Sequence, residues 1–165
     1  IPYISHLLGV ASLAFEYGAN EDQAIAALLH DAVEDQGGAE TLQQINNRFG
    51  CTVAGIVDGC SDTDEDPKPP WRHRKEAYLK RLTQESPAVR LVSACDKLHN
   101  VRAIIRDYRA HGDRLWRRFA GKKDGTLWYY SSLVKVYEAA ERTSVVVDLA
   151  REVATLRRLV DASDC

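Results

Sequence analysis

Residues 20–38 read Asn20-Glu21-Asp22-Gln23-Ala24-Ile25-Ala26-Ala27-Leu28-Leu29-His30-Asp31-Ala32-Val33-Glu34-Asp35-Gln36-Gly37-Gly38. Asn20 followed by Gln23 three positions later has the form of a capping box. The block Ala24–Leu29 is the longest apolar run of the chain, and Gly37-Gly38 is a stop signal. The pattern predicts a core helix running to about Asp35. At its carboxyl end stand His30, Asp31, Glu34 and Asp35, at about 0°, 100°, 40° and 140° on the helical wheel, within one face. The helix dipole is negative there, so extra carboxylates are unfavourable unless they are paired, bind a cation, or emerge into solvent.

Outward from this stretch the periodicity stays helical. Toward the N-terminus, Ile4, Leu7, Leu8, Ala11 and Phe15 form one apolar stripe, and Val10, Leu13 and Tyr17, with His6, form a second. Two stripes predict a central helix, closed by Gly18. Toward the C-terminus, helical stretches are expected near Ala39–Phe49 and Thr52–Cys60. An acidic, proline-rich excursion follows over Ser61–Pro70, and helical pattern resumes at Trp71–Leu82. Ser86-Pro87 is an N-cap and first-turn pair for a long helix to about Tyr108. After the basic stretch Arg114–Lys123, Leu127–Leu159 reads as one or two amphipathic helices, with Ser144–Val147 as an ambiguous β-branched run. The expected fold class is all-α, one domain over residues 1–165.

Composition bounds the function. The 165 residues are 45% hydrophobic and 28% charged, with a net charge of −2. That balance gives no global pull toward DNA, RNA or acidic lipid. No apolar run approaches the ~20 residues of a membrane span. No basic-then-apolar opening is present, so a signal peptide is not expected, and the lack of Met implies residues before Ile1. Cys51, Cys60, Cys95 and Cys165 form no CxxC pair and read as reduced thiols of a cytoplasmic protein.

His6 alone on an apolar face would be a satisfied core residue, and Asp96 alone a salt-bridge partner of Lys97 or a nearby arginine. Together, His6, His30, Asp31 and Asp96 would form a mixed nitrogen and oxygen set from three helices. That set suits Mn²⁺, Fe²⁺ or Zn²⁺ better than Ca²⁺. The order His, then His-Asp, then a distant Asp resembles the HD phosphohydrolase superfamily. The resemblance narrows through Pro2-Tyr3-Ile4-Ser5-His6, Ala27–Asp35, Arg48-Phe49-Gly50, Val57-Asp58-Gly59 and Asp96–Arg102, which together look like the hydrolase domain of RelA/SpoT-homologue alarmone enzymes. It covers residues 2–106, with 107–165 as C-terminal helices of the same domain. Gly121–Tyr130 is similar to stand-alone HD proteins.

The resemblance implies an HD-domain helical bundle with one Mn²⁺, or another divalent transition metal, held by His6, His30, Asp31 and Asp96. It implies that Glu34 and Asp35 activate water and manage protons, and that Asn100 lies near a nucleotide sugar. The implied reaction is hydrolysis of the 3′-pyrophosphate of (p)ppGpp, the alarmone of the stringent response, giving pyrophosphate and GDP or GTP. Alternatives are a (p)ppApp-type or other phosphorylated nucleotide as substrate, or a non-catalytic nucleotide-binding HD module. Arg72, Arg74 and Lys75 are the first candidates to hold phosphate, because they open a helix. Lys97 and Arg102 come second. Three departures stand out: the sequence begins at Ile1, so the Arg-Lys pair that the family carries before the Pro-Tyr-Ile-x-His stretch either lies in residues before it or is absent, Cys60-Ser61-Asp62 replaces the usual Val-Thr-Lys, and Ala103 replaces a threonine near the sugar.

Overall fold

The computed structural model describes residues 2–63 and 67–163, and every regular element among them is helical. Ile1, the Asp64-Glu65-Asp66 core of the acidic excursion, Asp164 and Cys165 lie outside the described residues. The helices are α1 (Ile4–Glu16), α2 (Glu21–Leu29), α3 (Ala32–Gln36), α4 (Gly38–Phe49), α5 (Cys51–Cys60), α6 (Trp71–Leu82), α7 (Pro87–His111), α8 (Lys122–Ala140) and α9 (Ser144–Asp161), with a 3₁₀ segment, Gly112–Arg118, after α7. The fold is all-α, and the β-branched run at Ser144 is the first turn of α9.

Helix α7 is the axis of the molecule. Ser86 accepts a hydrogen bond from the Val89 amide at 3.2 Å, and Pro87 occupies the first turn, where its missing N–H costs nothing. Its buried residues run from Val89 to Tyr108, because α1, α2 and α5 pack on one side and α9 on another. Val92, Ala94, Cys95, Leu98 and Val101 have no exposed surface. Each large aliphatic side chain buried this way contributes roughly 1.5–3 kcal/mol. Where α6 and α8 meet α7, the Ser93 hydroxyl bridges the phenols of Tyr78 and Tyr137 at 2.5 and 2.6 Å, so polar atoms with no water around them are paired.

Two expectations are corrected. The capping box forms at Asn20 and Gln23, with bonds of 2.9 and 3.0 Å, but α2 ends at Leu29. The His30 ring, through Nδ1, lies 2.8 Å from the Ala27 carbonyl, the acceptor that the Asp31 amide would use to continue the helix. The chain then restarts as the short α3, so Glu34 and Asp35 stand on a separate element. In α1 the stripe with Val10 and Leu13 is buried, whereas Ile4, Leu8 and Phe15 are 56%, 57% and 60% exposed. α1 therefore lies at the surface and presents only one face, the one carrying His6, to α2 and α7.

Candidate active site

His6 comes from α1, His30 and Asp31 from the α2–α3 junction, and Asp96 from the middle of α7. The fold brings all four together. His6 Nε2 lies 3.3 Å from His30 Nε2 and 3.3 Å from Asp96 Oδ1. His30 Nε2 lies 3.6 Å from Asp96 Oδ1 and 3.2 Å from Asp31 Oδ2, which is 3.9 Å from His6 Nε2. Ligand atoms of His6, His30 and Asp96 all fall within 4.8 Å of one another. The outward nitrogens are already engaged: His30 Nδ1 with the Ala27 carbonyl, and His6 Nδ1 with His99 Nδ1 at 2.9 Å. Both rings therefore turn Nε2 toward a common centre, the arrangement by which hydrogen-bonded histidines present a metal-binding nitrogen.

The electrostatics fit a cation at that centre. Burial favours neutral His30, but Asp96 and Asp31 overcome it and push its pKa up to about 10. Burial would raise the Asp96 carboxyl, yet Lys97 and His30 hold it well below the usual carboxylate range. Asp31 is also lowered, by His30 against the effect of burial. One buried carboxylate, Asp96, and one partly exposed, Asp31, thus draw positive charge to a point where two ring nitrogens converge. The donor set of two imidazoles and two carboxylates fits a divalent transition ion.

Three groups that hold these residues escaped the sequence reading. The Tyr3 hydroxyl donates to Asp31. His99 props His6, and Gly9 leaves the room for it. The Tyr3 signal was local, since it sits one turn before His6. Nothing local could have shown the His6–His99 contact, which joins residues 93 positions apart.

Glu34 faces cations. Its Oε1 lies 3.1 Å from Lys68 Nζ and 3.7 Å from Arg74. Asp35 is exposed, near enough to Tyr3 for its charge to help raise that phenol, after burial and Asp31. The nominated phosphate residues are largely committed to other partners. Arg74 makes a two-pronged contact to Asp62 at 2.6 and 2.7 Å, and Lys75 reaches the same carboxylate at 2.5 Å. Arg72 lies 3.2 Å over the Trp128 ring and 2.7 Å from Glu76. Lys97 Nζ and Asn100 Nδ2 each donate to Asp96 at 2.5 Å. Arg102 points away, to Glu152 at 3.4 Å.

A cavity of about 350 Å³ adjoins this centre. Lys75, Lys97 and Asn100 line one part, Trp71 and Tyr129 another, and Ala103, Ile104 and Asp107 extend it along α7. Gly121 and Gly125 admit the Trp71 indole, since a Cβ at Gly121 would stand 2.6 Å from it. A larger groove of about 780 Å³ lies beside α3 and α4 and includes none of the candidate site residues. No helix among the described residues is long and apolar enough to cross a membrane.

Comparison with known proteins agrees with this arrangement. The chain is 37% identical over 107 residues to the guanosine-3′,5′-bis(diphosphate) 3′-pyrophosphohydrolase MESH1 of Danio rerio, covering 64% of this chain and 57% of that one. It is 36% identical over 110 residues to the guanosine-3′,5′-bis(diphosphate) 3′-pyrophosphohydrolase of Haemophilus influenzae, covering 62% and 15%. The match thus spans little more than half of the first relative and a small part of the second. The crystal structure of lmo0812 from Listeria monocytogenes EGD-e superposes with a TM-score of 0.78 at 26% identity, covering 96% of this chain and 98% of that one. The HD domain family matches residues 1–126. That match takes in both histidines and both aspartates of the centre, and the chain belongs to the HD domain family.

Proposed function

We propose that this protein hydrolyses the 3′-pyrophosphate of a (p)ppGpp-like alarmone, releasing pyrophosphate and GDP or GTP. The observation that carries the reading is the convergence of His6, His30, Asp31 and Asp96 beside a cavity that shares Lys97 and Asn100 with them. The names of the relatives support the substrate class. These four residues would hold the ion, for which Mn²⁺ suits the mixed nitrogen and oxygen donors. When bound, the ion supplies Lewis acidity toward phosphoryl oxygen and acidifies water.

The protein's own groups do the rest. Glu34, oriented by Lys68 and Arg74, takes a proton from the attacking water as oxygen bonds to the phosphorus nearest the sugar. The 3′-oxygen–phosphorus bond breaks, and the 3′-oxygen leaves as a hydroxyl with a proton managed through Asp35. Lys97 and Lys75, both lining the cavity, offset charge on the phosphates. Asn100, already bonded to Asp96, faces the same cavity and stands where the sugar would lie. The protein acts as a single domain on a small nucleotide, without DNA, RNA or membrane. It works in the cytoplasm, where the free Cys51, Cys60 and Cys95 stay reduced.

Chromatography of products from a nucleotide panel with Mn²⁺ tests the reaction. Pyrophosphate with a nucleoside 5′-diphosphate is expected; orthophosphate alone would overturn it. Glu34→Gln should retain the ion and lose activity by roughly a hundredfold or more. Loss of Mn²⁺ from that variant would instead make Glu34 a ligand and refute its role as base.

A further inference from the structure

We propose that Asp107 reads the base of the nucleotide and selects guanine over adenine. The inference rests on the functional reading above and names the residue that would recognise the base of that substrate. Its basis is the order of groups along one cavity. α7 presents Lys97, Asn100, Ile104 and Asp107 to it, spaced so that they share one face. From Lys97 to Asp107 the helix rises about 15 Å, at about 1.5 Å per residue. The cationic end abuts the metal centre, Ala103 and Ile104 form an apolar middle, and a carboxylate closes the far end. A nucleotide whose 3′-phosphates lie at the centre has that sequence of requirements: anion, sugar, flat apolar ring, ring edge.

The chemistry of the far end discriminates between purines. Guanine presents N1–H and the N2 amino group side by side, two donors that match the two oxygens of one carboxylate. Adenine presents an N1 lone pair there, which a carboxylate repels, and hypoxanthine presents N1–H alone. Among the described residues Asp107 makes one ion pair, with Arg106 Nε at 3.3 Å, between side chains that are 61% (Arg106) and 37% (Asp107) exposed. An exposed pair of that kind is worth about 0–1 kcal/mol, so the carboxylate can turn to a ligand. Because Asp107 is partly wet, the preference should be roughly ten- to a hundredfold, below that of a buried reader.

The test is calorimetric binding of guanosine, inosine and adenosine 3′,5′-bisphosphates to the intact protein and to Asp107→Asn and Asp107→Ala. Affinity should fall in the order guanosine, inosine, adenosine. Asp107→Asn, which offers one donor and one acceptor, should raise adenosine binding and bring the guanosine-to-adenosine ratio near one. Asp107→Ala should remove the preference without rescuing adenosine. Melting curves should show both variants folded, since the side chain is at the surface. Equal binding of all three nucleotides by the intact protein, or an unchanged ratio in both variants, overturns the assignment even where pyrophosphate is released. Guanosine-selective binding that depends on Asp107, with no pyrophosphate released, would uphold the assignment and sink the proposed reaction.

Discussion

At the scale of single residues, Gly9 governs the geometry of His6 without touching it. A Cβ at position 9 would stand 2.4 Å from His99 Nε2 and 2.6 Å from its Cδ2, so the imidazole would have to move. His6 would then lose the 2.9 Å partner that fixes its ring. Gly9→Ala is expected to weaken Mn²⁺ binding roughly ten- to a hundredfold, the usual cost of losing a group that orients a ligand. The same change adds helix propensity of up to about 1 kcal/mol in α1. Weaker Mn²⁺ in a chelator competition, without a matching loss of metal-free stability, is the expected pattern; unchanged affinity would show that His99 does not position His6. His6, His30, Asp31 and Asp96 were legible in the sequence because titratable groups beside apolar stripes are costly. Gly9 and His99 were not, because packing between distant segments leaves no periodicity.

At the scale of elements, helix starts were legible and one helix end was not. Asn20 with Gln23, and Ser86 with Pro87, announce α2 and α7 by local hydrogen bonding. The break after Leu29 depends on where the His30 ring goes, which only the tertiary fold decides. The connection from α5 to α6 shows the same limit: Asp62 reads as part of an acidic loop, yet it fastens α6 through Arg74 and Lys75. Its side chain is 5% exposed, against 14% and 18% for its partners. Burial would raise the Asp62 carboxyl, but Lys75 and Arg74 pull it below its usual value. A carboxyl lowered in the folded state contributes stability that is fully present above the ordinary carboxylate range and fades as pH falls through the folded value. Asp62→Asn should therefore cost roughly 3 kcal/mol at pH 7, the scale set by stranding a mostly buried cation. In urea melts the gap between the two proteins should begin to narrow below about pH 4 and close only as pH falls through the lower folded value. A gap that persists at low pH would mean that Asp62 acts by shape and not by charge.

At the scale of the whole molecule, the metal centre ties together segments that the chain keeps apart. α1 supplies His6, the α2–α3 junction His30 and Asp31, and α7 Asp96, so an ion bound there would be present only when these three regions are docked. Asp31 and Asp96 both lie against the His30 ring, and Lys97 bonds to Asp96 while Tyr3 bonds to Asp31. Binding to the folded state alone stabilises it by mass action, by about 2.7 kcal/mol at a hundred times the dissociation constant. For a chain of this size each kcal/mol moves the Tm by roughly 2–4 °C, so saturating Mn²⁺ should raise it by roughly 5–10 °C. A chelator should reverse the rise, and His30→Ala and Asp96→Ala should each abolish it. Differential scanning calorimetry of the three proteins, with and without Mn²⁺, checks this. A Tm that rises equally in both variants would place the ion elsewhere. No rise in the unaltered protein at Mn²⁺ concentrations that restore activity would separate the chemistry from the assembly of the helices.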